Sequence, residues 1–117
     1  MQYADIIWDS VKYEIFCTKD EFLENLKQYE VFALHREGVL AGLWMTKGTE
    51  FHIYPMGGSY TMTDIRNVIQ PLIDRYGYAT TKTPLSDKRQ QRFNRRLGFV
   101  QIGEDDAYVT YKIESLP

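Results

Sequence analysis

The chain contains one cysteine, Cys17, which excludes an intrachain disulfide and any cysteine-cluster metal site and suits a reducing compartment. A basic excess is also missing. Fourteen Lys and Arg stand against sixteen Asp and Glu, a formal net charge of −2, whereas a general nucleic-acid binder carries surplus cations to displace counterions from phosphates. Any anion site must therefore be local. No stretch approaches the ~18 consecutive apolar residues of a membrane span, and MQYADIIWDS opens without a basic segment followed by an apolar one. Neither export nor a membrane span is expected, and the chain reads as cytoplasmic. Glycine spacing fits no P-loop, no serine nucleophile elbow occurs, and His35 and His52 lie too far apart in sequence for a local zinc motif.

What is present has the make-up of a folded chain. Apolar residues account for 44% and charged residues for 26%, near the globular averages of about 45–50% and 25%, which speaks against disorder. The 117 residues predict a single domain, 1–117, with one core. Nine tyrosines, six phenylalanines and two tryptophans place large rings, some with polar handles, in that core or along a cleft. Cys17 reads as a small core residue.

Tyr3, Ile7 and Val11 recur at i, i+4 and i+8, the pattern of a short amphipathic helix or an irregular opening segment. Thr18 and Glu21 read as a capping box ahead of the stripe Phe22, Leu26 and Tyr29, predicting a helix over 19–29. The period then changes. VFALHREGVLAGLWMTKGTEFHIYP holds three β-rich runs divided by Glu37-Gly38 and Lys47-Gly48, a three-stranded antiparallel meander. Between Gly57 and Gly77, Met62, Ile65, Val68, Ile69, Leu72, Ile73 and Tyr76 fall within about 140° of the helical wheel. Asp64 in the first turn, Arg75 in the last and Gly77 beyond fit the helix dipole and cap. Pro71 falls on the polar face, where its missing N–H is tolerable. Residues 78–83 read as a strand, Ser86 as the cap of a helix ending at Gly98, and 99–102 and 108–113 as strands joined by the acidic turn 103–106. Antiparallel strands followed by a strand–helix–strand crossover make this an α+β fold, a mixed, mostly antiparallel sheet of about six strands flanked by helices.

That order, together with Arg92-Phe-Asn-Arg-Arg-Leu-Gly-Phe99, resembles the GNAT acetyltransferase superfamily, whose last helix ends in a comparable aromatic-x-x-x-Leu-Gly-Phe before its final strands. The resemblance covers residues 31–113 in topology and this one joint in motif. With a basic residue and Phe in that helix and almost no conventional cofactor motif, the chain is most similar to the divergent GNAT-like proteins encoded by tailed bacteriophages. Physical reasoning alone accounts for part of the signature. Phe93 and Leu97, i and i+4, would share the core face with Ser86 and Gln90, Gly98 would supply a left-handed cap, and Phe99 would begin a buried strand.

The resemblance implies acetyl-CoA, bound where a central strand parts from its neighbour, with the pyrophosphate on backbone N–H groups at the start of the next helix. The corresponding stretch is Tyr54-Pro-Met-Gly-Gly-Ser-Tyr-Thr61, in which Gly57, Gly58 and Ser59 could let a backbone loop wrap an anion. The family's Arg/Gln-x-x-Gly-x-Gly/Ala pattern is missing there. Arg89, Arg92 and Arg96 form a helical stripe adjacent to the expected buried one, with Lys88 and Arg95 further toward solvent. Arginine suits phosphate through paired N–H bonds, so Arg89 and Arg92 join the cofactor-binding candidates. A charged partner surface, or a solvated face balanced by Glu104, Asp105 and Asp106, explains the same stripe.

Acetyl transfer to an amine needs a base for the ammonium proton, donors at the thioester oxygen and an acid for the departing thiolate. Many GNAT members use a Tyr of the last helix as the acid. Aligning on Leu97-Gly98-Phe99 puts Asn94 there, and an amide cannot protonate a thiolate, which leaves Asn94 among the cofactor-contacting candidates. Glu50 and His52, two apart in a strand, share one side of the sheet, and either could serve as the base. Tyr108 and Tyr111, three apart, cannot share a face, so at most one meets a cleft. Tyr108 completes the catalytic set with Glu50 and His52.

Two functions follow. The first is an acyl-CoA-dependent N-acyltransferase that uses acetyl-CoA and an amine substrate. The alternative is a catalytically inactive GNAT-fold protein-binding module, such as a phage-encoded host-modifying or virion-associated factor whose partner is a host protein. Nucleic-acid contact through Lys88–Arg96 is disfavoured by the overall acidity.

Overall fold

The periodic segments become four helices and six strands in the computed structural model, which describes residues 3–12, 17–55 and 60–117. In chain order these are α1 (Tyr3–Val11), α2 (Lys19–Leu26), β1 (Glu30–Arg36), β2 (Val39–Lys47), β3 (Glu50–Pro55), α3 (Met62–Tyr76), β4 (Ala79–Pro84), α4 (Lys88–Arg96), β5 (Val100–Glu104) and β6 (Tyr108–Ile113). The strands form one sheet in the order β1-β2-β3-β4-β6-β5. The pairings β1/β2, β4/β6 and β5/β6 are antiparallel and β3/β4 is parallel, the α+β, mostly antiparallel sheet expected from the sequence. None of the described helices is long and apolar enough to cross a membrane.

The chain divides into two compact units, Met1–Lys47 with Ile53–Tyr60, and Gly48–His52 with Thr61–Pro117. In the first, strand alternation turns Val31 and Ala33 of β1 and their partners Met45 and Leu43 of β2 to one face. There they join Ile7 of α1 and Leu26 of α2 in a core that also takes in Phe22, Tyr29 and Tyr54. The other face of this strand pair carries Phe32 and Trp44, opposite each other and stacked at 5.2 Å. Glu37 and Gly38 both have positive φ (52° and 79°), as a two-residue hairpin matched to strand twist requires. Helix α2 stops at Leu26, short of the predicted Tyr29. The N–H groups of Lys27, Gln28 and Tyr29 bond the carbonyls of Glu24, Asn25 and Leu26, three residues back, so the last turn tightens out of α geometry. Its start is a partial capping box. Thr18 Oγ1 accepts from the Glu21 N–H, but the Glu21 carboxylate accepts from the Thr18 hydroxyl.

In the second unit α3 begins with a complete capping box. Thr61 Oγ1 accepts from the Asp64 N–H at 3.1 Å and Asp64 Oδ2 from the Thr61 N–H at 2.7 Å. The helix runs through exposed Pro71 and ends at Gly77 with φ 87°. Its buried stripe is Ile65, Val68, Ile69 and Leu72, and Met62 and Tyr76 at the two ends stay exposed. Ala79, Thr81 and Thr83 of β4 pair with Ile113, Tyr111 and Val109 of β6, and all six are buried. The Phe51 ring, buried on β3, lies 6.0 Å from that of Phe99.

Candidate functional site

Three corrections to the sequence reading concern α4. Its cap is Asp87, whose Oδ1 accepts from the Gln90 N–H at 3.0 Å, and not Ser86. A turn from the Asp87 N–H to the Pro84 carbonyl moves the helix start on by one residue. The buried face is Gln91, Asn94 and Leu97, whereas Phe93 is 37% exposed and Ser86 and Gln90 are exposed as well. The inward amides donate to carbonyl and hydroxyl groups at the end of β4 and the turn that follows it. Gln91 Nε2 donates to the Pro84 and Leu85 carbonyls, both at 3.0 Å. Asn94 Nδ2 donates to Thr83 Oγ1 at 2.9 Å, and its Oδ1 accepts from Gln90 Nε2 at 3.0 Å. Arg89, Arg92 and Arg96 therefore lie on the far side of α4 from the sheet and are exposed. Arg95, expected further toward solvent, instead reaches Tyr111 Oη at 3.4 Å.

On β3 the alternation that buries Phe51 turns Glu50 and His52 together to the opposite face. His52 Nε2 and Glu50 Oε2 are 2.7 Å apart, and the two side chains are 20% and 21% exposed. A carboxylate on one ring nitrogen fixes the orientation of the imidazole. Glu50 is in register with Thr80, and Thr80, Lys82 and Pro84 are opposite Lys112, Thr110 and Tyr108. These side chains share one sheet face. Tyr108 thus lies on the same face as Glu50 and His52, though displaced from Glu50 by four β4 positions, about 13 Å along the strand. Tyr111 lies on the opposite face and is 1% exposed. The structure brings Glu50 and His52 into hydrogen-bond contact and holds Asn94 in the Thr83–Gln90 network. Gly57, Gly58 and Ser59 fall outside the described residues.

The parallel pair β3/β4 has its register at Glu50↔Thr80. The Thr80 N–H donates to the Thr49 carbonyl at 2.8 Å, the Thr49 and Thr80 hydroxyls meet at 3.1 Å, and Thr81 Oγ1 donates to the Phe51 carbonyl at 2.9 Å. Strand alternation points the main-chain N–H and C=O of Lys82 to the same edge as those of Thr80. Among the described residues Lys82 has no register partner on that edge. An exposed strand edge can pair with an extended, amide-bearing ligand through main-chain hydrogen bonds.

Sequence reasoning missed Gly42. A Cβ there would lie 2.5 Å from the Tyr60 ring, whose hydroxyl donates to the Leu43 carbonyl at 3.0 Å. The signal was a glycine in mid-strand, which marks close approach by another group. Tyr60 immediately precedes Thr61, the α3 cap.

No family model matches the chain, and no curated protein matches it. Solved structures do. The ribosomal-protein-alanine N-acetyltransferase from Brucella melitensis superposes with a TM-score of 0.66 at 14% identity, covering 97% of this chain and 92% of that one. The Campylobacter jejuni N-acetyltransferase PseH, in complex with acetyl coenzyme A, superposes with a TM-score of 0.66 at 14% identity, covering 97% and 90%. An aminoglycoside 6'-acetyltransferase type Ii gives 0.62 at 13%, covering 97% and 88%. At such identities the likeness is one of fold, and the fold of this chain is that of the GNAT N-acetyltransferases.

Proposed function

We propose that the chain is an acyl-CoA-dependent N-acyltransferase that moves an acetyl group to an amine. The observation that carries this reading is the β4 edge at Lys82, which has no register partner among the described residues, on the strand next to the Glu50–His52 pair, within a GNAT fold. In this reading the cofactor's pantetheine arm pairs with the Lys82 main chain. Acetyl-CoA supplies an activated thioester. His52, oriented by Glu50, accepts the proton of the acceptor ammonium and leaves the amine nucleophilic. Tyr108, a phenol on the same sheet face, returns a proton to the departing thiolate. Asn94 contributes by holding Thr83 at the end of β4 and not by proton transfer. Arg89 and Arg92 face away from the sheet and take no part in this arrangement.

The second reading, an inactive module of the same fold that contacts a host protein, is favoured by the burial of Asn94 where the family carries its acid. A phage origin belongs with that reading. Release of free coenzyme A thiol from acetyl-CoA in the presence of an amine panel separates the two. Amine-dependent release supports the transferase, and a folded protein that releases none supports the module.

A further inference from the structure

The cations of this chain fall into two groups. Ten of the fourteen bond a carboxylate, amide, carbonyl or hydroxyl, sit over an aromatic ring, or act on a neighbouring carboxylate. The side chains of the other four, Lys88, Arg89, Arg92 and Arg96, have no such partner among the described residues, although acids outnumber cations in the chain. All four belong to α4, and the three arginines lie on the face opposite the buried Gln91, Asn94 and Leu97. From Lys88 to Arg96 the stripe spans roughly 12 Å of helix. Phe93, i+4 from Arg89 and 37% exposed, flanks it. Three such arginines and an exposed ring on one helix face, with Lys88 beside them, leave like-charge repulsion uncompensated in the isolated chain.

The character of the stripe narrows the partner. Nucleic-acid affinity grows with the number of phosphates neutralised, and four cations over one short helix neutralise few. Off the stripe, ten cations face sixteen acids, so a polyanion long enough to extend past α4 meets net repulsion. A short acidic segment has neither difficulty. Arginine and aromatic side chains together are also the residue types that dominate protein interfaces.

We propose that the outer face of α4 docks an acidic segment of a partner protein, with Arg89, Arg92 and Arg96 pairing with its carboxylates and Phe93 making apolar contact at the edge. This inference does not depend on acyl transfer. The test is fluorescence anisotropy of the full chain with a labelled oligo-glutamate and, for comparison, a labelled oligouridylate of equal net charge at low salt. Oligo-glutamate is expected to bind, with affinity falling as salt rises. The triple variant Arg89→Gln, Arg92→Gln, Arg96→Gln should weaken it about tenfold, and Lys27→Gln, at the C-cap of α2, by less than about twofold. Glutamine keeps helix propensity near that of arginine. Arg92→Gln alone, with about a threefold loss, serves if the triple variant fails to fold. The proposal is overturned if oligo-glutamate does not bind, if oligouridylate binds more tightly, or if the arginine variants leave the affinity unchanged.

Discussion

The Asn94 amide donates to the Thr83 hydroxyl at 2.9 Å, and both side chains are almost fully buried. This bond joins the inward face of α4 to the end of β4 at the helix position where the GNAT resemblance leads one to expect a tyrosine. The side chain at this position serves the packing of helix on strand.

Asn94→Ala should therefore lower stability by about 1–3 kcal/mol, because it leaves Gln90 without its acceptor and Thr83 without its donor. Urea denaturation should show a lower midpoint at unchanged slope. Asn94→Tyr overfills the same buried space and should destabilise further without raising acyl transfer.

Gly42→Ala pushes a methyl group into the Tyr60 ring and should cost about 1–3 kcal/mol. The origin of the cost is checked by a double-mutant cycle. In a Tyr60→Ala background the same substitution should be nearly neutral, and a cost that persists there would place the strain elsewhere.

The proposed function gives proton transfer to Glu50 and His52, so replacing either should affect chemistry and spare cofactor binding. Glu50→Gln and His52→Ala are each expected to lower acetyl transfer about 10²-fold or more, with acetyl-CoA affinity within about twofold of wild type. Equal losses in binding and turnover would remove the pair from the proton-transfer role.

Asp105 gives a pH dependence of known sign. Hydrogen bonds from the backbone N–H groups of Ala107 and Tyr108, at 2.8 and 2.7 Å, hold its carboxyl below the usual carboxylate range, with weaker help from Lys82. Because the folded pKa lies below the unfolded one, the turn's stabilisation is complete above the ordinary value of about 3.9 and is lost as pH falls through the lower folded value. The Ala107 and Tyr108 amide resonances should titrate with a midpoint below about 3.9 and lose that transition in Asp105→Ala. A midpoint above that value would contradict the assignment.

The strands and α3 were legible because their patterns are periodic and their ends carry chemistry that can be read directly, such as Thr61, Asp64 and Gly77. The shared face of Glu50 and His52 followed from their spacing of two, although nothing in the sequence showed that they bond each other. The face of α4 was misread for a physical reason. Ranking Phe93 above Gln91 and Asn94 for burial ignores that the Leu85 carbonyl and the Thr83 hydroxyl take their donors from this face, and only the folded arrangement reveals it. The end of α2 was overrun because a hydrophobic stripe continues through Tyr29 after the backbone has already tightened to i→i−3 bonding.

The measurement that tests the central claim most directly is isothermal titration of the full chain with acetyl-CoA, followed by thermal denaturation at saturating ligand. The proposed function predicts saturable, one-to-one, micromolar binding and a raised melting temperature. A folded sample that shows neither heat nor thermal shift at millimolar acetyl-CoA would contradict it and leave a GNAT-shaped chain without its cofactor.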